Sequence, residues 1–282
     1  MSQDALRSRI RRILVALDAS SASIAALEGA ADLAARLDAE LSGLFVEDED
    51  LLRLAGLPFA AEVEIHSATS RPLTAEAMEQ SLRAQARRAE SALSGVAERH
   101  GVRWDFRVVR GAVTTEVLAA MEEADFAALG GIGGRATGGG RVGDTALEAI
   151  LKGERPVLLL APGGTLCEPI AALYSEHPSA GQTLDIAARL AQRDSGHLLV
   201  ILLAASPAAQ ARLEREARAR LEAQGVTPSF RPLGSGGPWA VVGIVRKEHV
   251  GTAVLTGDPA PFGGELAVTL VEEQRCAVIL VR

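Results

Sequence analysis

The amino-acid sequence predicts an α/β protein built as two tandem, open, five-stranded parallel sheets in a pseudo-twofold arrangement. Three observations predict it. Short apolar runs alternate with helix-period segments along the whole chain, the pattern of a parallel sheet covered on both faces. The order of those segments then restarts: "PIAALYS" (169–175) resembles "RILVALD" (12–18), and "HLLVILL" (197–203) resembles "ELSGLFV" (40–46). One offset separates both Asp18 from Ser175 and Val46 from Leu203, which marks an internal duplication. Finally, "PVLLLA" (156–161) and "AVILV" (277–281) are apolar throughout. An unpaired apolar edge invites pairing, so the two halves are expected to meet through these last strands. The division falls in "APGGTLCEP" (161–169), giving domains of 1–163 and 168–282.

Each element has its own reason. "RILVAL" (12–17) is a β-branched apolar run ending at Asp18, and the serines Ser20, Ser21 and Ser23 that follow can cap a helix. Ile24, Leu27, Ala31, Ala34 and Leu37 recur at helical spacing. "ELSGLFV" (40–46) is the next strand. Residues 47–72 have no clean period and read as a long loop with a helical turn. Leu51, Leu52, Leu54, Leu57 and Phe59 are too apolar for an ordinary solvated loop, so this segment reads as a cover over the mouth of the first domain, a partner surface, or a local cover for its own core. From Leu73 to about Arg99 a helix sets Leu82, Ala86, Ala89, Leu93 and Val96 on one face and the Glu79–Arg83 pair on the other. Strands at 104–109, 125–130 and 156–161 alternate with helices at 114–124 and 145–151. The second half repeats the order with shorter loops, through "RLEREARARLEAQG", "PSFRPLG", "PWAVVGIVRKE", "GTAVLTG", "GELAVTLVEE" and "CAVILVR".

Composition narrows the function. The chain has 282 residues, 48% hydrophobic and 23% charged, enough for a core and unlike a disordered chain. Only 3% is aromatic and the net charge is −7, which argues against a base-stacking or polyanion-binding surface. Cys167 and Cys276 lie in no metal-ligand spacing and read as buried or half-buried thiols of a reducing compartment. The N-terminal apolar run "ILVAL" is too short for a signal-peptide core, and no run approaches the ~18 residues of a membrane span. The expectation is a cytoplasmic protein without nucleic-acid or membrane partners.

Residues 130–145, "GGIGGRATGGGRVGDT", are half glycine and join a buried strand to a helix. Such a loop lets backbone N–H groups converge on an anion, and it ends at a helix N-terminus, which favours the same ligand. Two registers describe it. Gly130-x2-Gly133-x9-Gly143 runs up to Asp144; shifted by one, Gly131-x2-Gly134-x9 reaches Asp144 and then Thr145. Thr145-x-x-Glu148 also reads as a capping box, with Asp144 just outside the helix.

With "ILVALDAS", the Ala-rich helix and "GLFVED", this loop makes the first half resemble the universal stress protein family, and the whole chain a tandem member of it. Nucleotide-binding members carry Gly-x2-Gly-x9-Gly-Ser/Thr at this place. The resemblance implies the adenine nucleotide alpha hydrolase-like fold and pairing through the last strand, an intramolecular pseudo-dimer with room for a further homodimer. It also implies a stress-response regulator that binds ATP or ADP, with or without Mg²⁺, in its first domain, without rapid turnover and with a protein partner that the sequence does not identify. Asp18 and the backbone near Val46 would contact the adenosine, although Asp18 also reads as a helix-initiating turn residue. Gly130, Gly131, Gly133, Gly134, Gly143, Asp144 and Thr145 would meet the phosphates.

The chain departs from that pattern in two ways. Each register loses one element at Asp144, where a carboxylate replaces either the hydroxyl residue or the last glycine. In the second half Ser175 stands in place of Asp18, the glycine series is missing, and Pro259 and Pro261 remove two backbone donors, so that half reads as a scaffold without a site. A dinucleotide-binding fingerprint would follow the first strand, with an acidic residue ~20 positions on. A P-loop would need Gly-Lys-Ser/Thr. Neither is present. His66, His100, His177, His197 and His249 fall in loops or element ends without metal spacing, and no G-x-S-x-G elbow occurs. The competing reading is an interaction protein that uses the same fold without a ligand.

Overall fold

The computed structural model describes residues 10–18, 20–63, 70–130, 142–161, 163–234, 237–257, 262–274 and 276–282. In the first half β1 (Arg12–Ala16), β2 (Glu40–Asp48), β5 (Trp104–Gly111), β6 (Phe126–Gly130) and β7 (Val157–Leu160) alternate with α1 (Ser21–Leu37), α3 (Ala75–His100), α4 (Val113–Glu122) and α5 (Asp144–Lys152). Between β2 and α3 lie α2 (Glu49–Ala55), β3 (Ala61–Val63) and β4 (Ser70–Pro72). The second half repeats the order with β8 (Ile170–Tyr174), α6 (Ala180–Gln192), β9 (His197–Leu202), α7 (Pro207–Glu222), β10 (Thr227–Pro232), α8 (Pro238–Lys247), β11 (Thr252–Thr256), α9 (Gly264–Gln274) and β12 (Ala277–Val281).

All the long strands join one ten-stranded sheet, ordered β10-β9-β8-β11-β12-β7-β6-β1-β2-β5. Within each half every ladder of this sheet is parallel. The ladder between the halves is antiparallel and joins the two last strands, with Leu158 opposite Ile279. Outward from that ladder the two halves follow the same strand order, so the sheet is palindromic. The apolar runs of β7 and β12 are thus buried edge to edge, as their composition requires. They also feed both faces: Leu158, Leu160, Ile279 and Val281 enter the core under α1, α3, α6 and α7, while Val157, Leu159, Val278 and Leu280 enter the core under α4, α5, α8 and α9. Both cores run uninterrupted across the junction.

Helix boundaries follow capping chemistry. Ser20 caps α1 by accepting from Ser23 N at 3.1 Å, and Asp38 ends it in the left-handed conformation, which Asp tolerates. Thr74 caps α3 and Gly101 closes it at φ +65°. Helix α7 begins at Pro207, five residues before the periodic segment read from sequence, because Ser206 caps it and proline suits the first turn.

The segment 47–72 differs most from its sequence reading. It holds a helix and a short antiparallel ribbon rather than a loop. Asp48 ends β2 and caps α2 by accepting from Asp50 N at 2.9 Å, and Arg53 pairs with Glu49 and Asp50. Helix α2 packs on α3 and β5. Leu52 and Ala55 turn inward, while Leu51, Leu54, Leu57 and Phe59 stay exposed, Phe59 at 81%. Residues 64–69, including His66, lie outside the described residues. Among the described residues no helix is long and apolar enough to cross a membrane.

Candidate functional site

Strands β1, β2 and β6 all end near the start of a helix, and a cavity of about 410 Å³ opens beyond their carboxyl ends. Open α/β sheets bind ligands at this position, and the volume falls in the usual range of about 300–1,000 Å³ for small-molecule pockets. One wall is apolar: Leu17, Leu44, Val46, Val113, Val117 and Leu129. The polar groups Asp18, Ser20, Ser23, Asp144 and Thr145 lie around it.

Asp18 leaves β1 and lines the pocket. Its Oδ1 accepts from Ser20 N at 2.9 Å, which forms the turn into α1. The turn reading holds, with one oxygen engaged by Ser20 N, and the residue also borders the cavity. Val46 is half-buried on the apolar wall, in register with Val109 of β5. Gly130 ends β6 for a steric reason. A Cβ there would lie 2.9 Å from the carbonyl carbon of Ala22, so only glycine lets β6 approach the first turn of α1 this closely.

Gly131, Gly133 and Gly134 lie outside the described residues, together with the rest of 131–141. The loop's exit is described. Gly143 is the N-cap of α5 and has no side chain to offer, so no side-chain cap covers that helix start. Asp144 is the first helical residue and is exposed at the pocket, where a negative charge suits the helix dipole. This corrects the capping-box reading. The helix begins one residue before Thr145; Thr145 Oγ1 instead hydrogen-bonds Thr114 Oγ1 at 3.1 Å, and Glu148 pairs with Lys152 at 2.6 Å.

The helix expected at 114–124 is α4, but the sequence reading gave it no part in the site. Its N-cap is Ala112, again without a side-chain cap, and Val113 and Val117 form part of the apolar wall. Two helices thus start at the cavity with N–H groups that no side chain caps, and the Thr114–Thr145 bond ties the two starts together. The signal for α4 was available: a helix that begins directly after the strand "WDFRVVRG" opens at the carboxyl edge of the sheet, where ligands bind.

The second half is built differently at the matching place. Strand β11 closes on α6 through a buried Thr256 Oγ1–Thr183 Oγ1 hydrogen bond of 3.2 Å. Pro259 and Pro261 lie outside the described residues. A separate opening beside Tyr174, Ser175 and His177 is crossed by the Arg212–Glu176 ion pair. The cysteines also differ from each other. Cys276 is buried, whereas Cys167 is exposed, contrary to its sequence reading. Among the described residues no cluster of three His, Cys, Asp or Glu side chains could hold a metal ion.

Comparison with known proteins agrees with this architecture. The model of the universal stress protein family matches residues 9–160, more than half of the chain. A universal stress protein from Archaeoglobus fulgidus DSM 4304 superposes with a TM-score of 0.72 at 15% identity, covering 96% of this chain and 98% of its own. A functionally unknown protein from Pseudomonas aeruginosa PAO1 superposes with a TM-score of 0.58 at 12% identity, covering 98% and 94%. No curated protein matches the chain. At such identities the structural likenesses speak for the fold, and the family model supplies the membership: the chain belongs to the universal stress protein family.

Proposed function

We propose that the first half binds ATP or ADP in the cavity between α1, α4 and α5, that the second half binds none, and that turnover is slow or absent. The observation that carries the reading is the pair of helix starts without side-chain caps, α4 and α5, opening onto one cavity whose other wall is apolar. Peptide dipoles favour negative charge at such ends, and an apolar slot of Leu17, Val46 and Val113 suits a purine. The phosphates would meet Gly143, Asp144 and Thr145. Slow turnover is part of the proposal, and the described part of the lining supports it. Among the described residues neither lysine nor arginine borders the cavity to stabilise a phosphoryl-transfer transition state. Mg²⁺, were it bound with the nucleotide, would offset the repulsion between the Asp144 carboxylate and the phosphates.

A second reading, an interaction protein that needs no ligand, draws on the exposed Leu51, Leu54, Leu57 and Phe59. The two separate on a simple preparation. Protein purified without added nucleotide is denatured and its supernatant chromatographed. Stoichiometric ATP or ADP supports nucleotide binding. Its absence, combined with no uptake of radiolabelled ATP with or without Mg²⁺, leaves the interaction reading.

A further inference from the structure

Helix α5 belongs to the first half, yet both its ends are held by the second. At its start, Val142 N donates to Glu272 Oε1 at 2.7 Å. Glu272 lies on α9 and is half-buried. At its end, Arg282 Nη2 donates to Ile150 O. Between them α9 sits directly against α5: a Cβ added to Gly264 would lie 2.6 Å from Ile150 Cγ2. Val142 immediately precedes Gly143, Asp144 and Thr145, the residues that bring α5 to the cavity. The geometry points to a role for the half without a site. We propose that Glu272 is a positioning residue for the first half's ligand site, and that it acts by fixing the backbone at the entry to α5. The proposal rests on the nucleotide reading above.

Gly143 has no side chain with which to pin the helix start, so the Val142–Glu272 bond supplies the restraint that an ordinary N-cap would give. A binding-competent wall that is populated only part of the time weakens the apparent affinity by that fraction. The charge works in the opposite direction. A carboxylate near an anion site repels the ligand, so Glu272 is unfavourable for ATP on electrostatic grounds alone. Positioning and charge therefore predict opposite signs for the same substitution.

Three full-length variants separate them. Glu272→Ala removes both anchor and charge. Glu272→Asp keeps the charge on a side chain one carbon too short. Glu272→Gln keeps an acceptor oxygen of the right reach without the charge. ATP affinity is measured by calorimetry, and exchange of the Val142 amide by NMR on the ligand-free protein. Positioning predicts ATP binding weakened about tenfold in Glu272→Ala and Glu272→Asp, the worth of one charge-assisted hydrogen bond, with Glu272→Gln at least as tight as the native protein. Val142 exchange accelerates in the first two variants and stays slow in the third. Unchanged or tighter ATP binding by Glu272→Ala overturns the proposal, as does Val142 exchange indifferent to the anchor. Should the native protein bind no ATP, the nucleotide reading fails, and the exchange data alone decide whether Glu272 fixes the entry to α5. Glu272→Gln keeps the test open if Glu272→Ala does not fold.

Discussion

Asp144 carries the sharpest tension in the molecule. It favours the start of α5 through the helix dipole and opposes a phosphate in the same place. At ~4 Å two unit charges repel by about 4 kcal/mol at an effective dielectric near 20, and the exposed position of Asp144 reduces that. Asp144→Ser is therefore expected to tighten ATP binding about tenfold without Mg²⁺ and less with it, read by calorimetry at low salt. Equal affinities in both conditions would mean that the carboxylate turns away from the ligand. Cys276 offers a test independent of any ligand. Burial pushes its thiol from 9.0 up to about 12. The unfolded chain ionises this group first, so its contribution to stability is complete below pH 9 and lost as pH rises towards 12, at up to about 1.4 kcal/mol per pH unit. Urea midpoints of the native protein and Cys276→Ala should accordingly converge above pH 9; parallel curves would contradict the burial. Exposed Cys167 is the thiol expected to react first with alkylating reagents.

At the scale of elements, the strands and long helices were legible because each obeys a local rule. β1, β6, β7 and β12 are short runs buried on both faces, and α3 shows an uninterrupted apolar stripe from Leu82 to Val96. The segment 47–72 was not legible, because α2 is only a turn or two long and is held by Asp48 and by contacts with α3 that no short window encodes. The site was legible in part. Asp18, Val46, Gly130, Gly143, Asp144 and Thr145 do border one cavity. Val113 and Val117 escaped notice because α4 carries no glycine signature. Glu272 escaped because its partner is the backbone of the other half. Cross-half contacts should also matter to stability. Arg36, near the end of α1, bonds Asp32 at 3.0 Å and Asp194 at 2.7 Å, and it donates to Leu190 O. Burial alone would lower the Arg36 pKa, but the hydrogen bonds to Asp194 and Asp32 outweigh it and the net shift is upward. Arg36→Ala leaves two half-buried carboxylates unpaired and should cost about 2–3 kcal/mol in urea denaturation. A change under about 0.5 kcal/mol, the size of an exposed pair, would contradict this.

The whole molecule is one palindromic sheet whose halves have diverged. The second half keeps the strand order and supplies β12, Glu272 and Arg282 to the first. We propose that residues 1–163 form a domain that folds alone but exposes the apolar edge of β7, and so forms a dimer through that edge; light scattering that finds a monomer would refute it. At this scale the proposed occupant of the cavity at the carboxyl edge of the first half is one adenine nucleotide. Calorimetric titration of the full chain with ATP, beside Val113→Trp, tests it most directly. Val113 is partly exposed at the start of α4, so a larger side chain can fill the cavity without entering the core. One site per chain is expected in the native protein and none in Val113→Trp, at an unchanged melting temperature. Nucleotide binding in this cavity is contradicted if ATP binds both proteins alike, or if neither the native protein nor Asp144→Ser binds ATP at millimolar concentration.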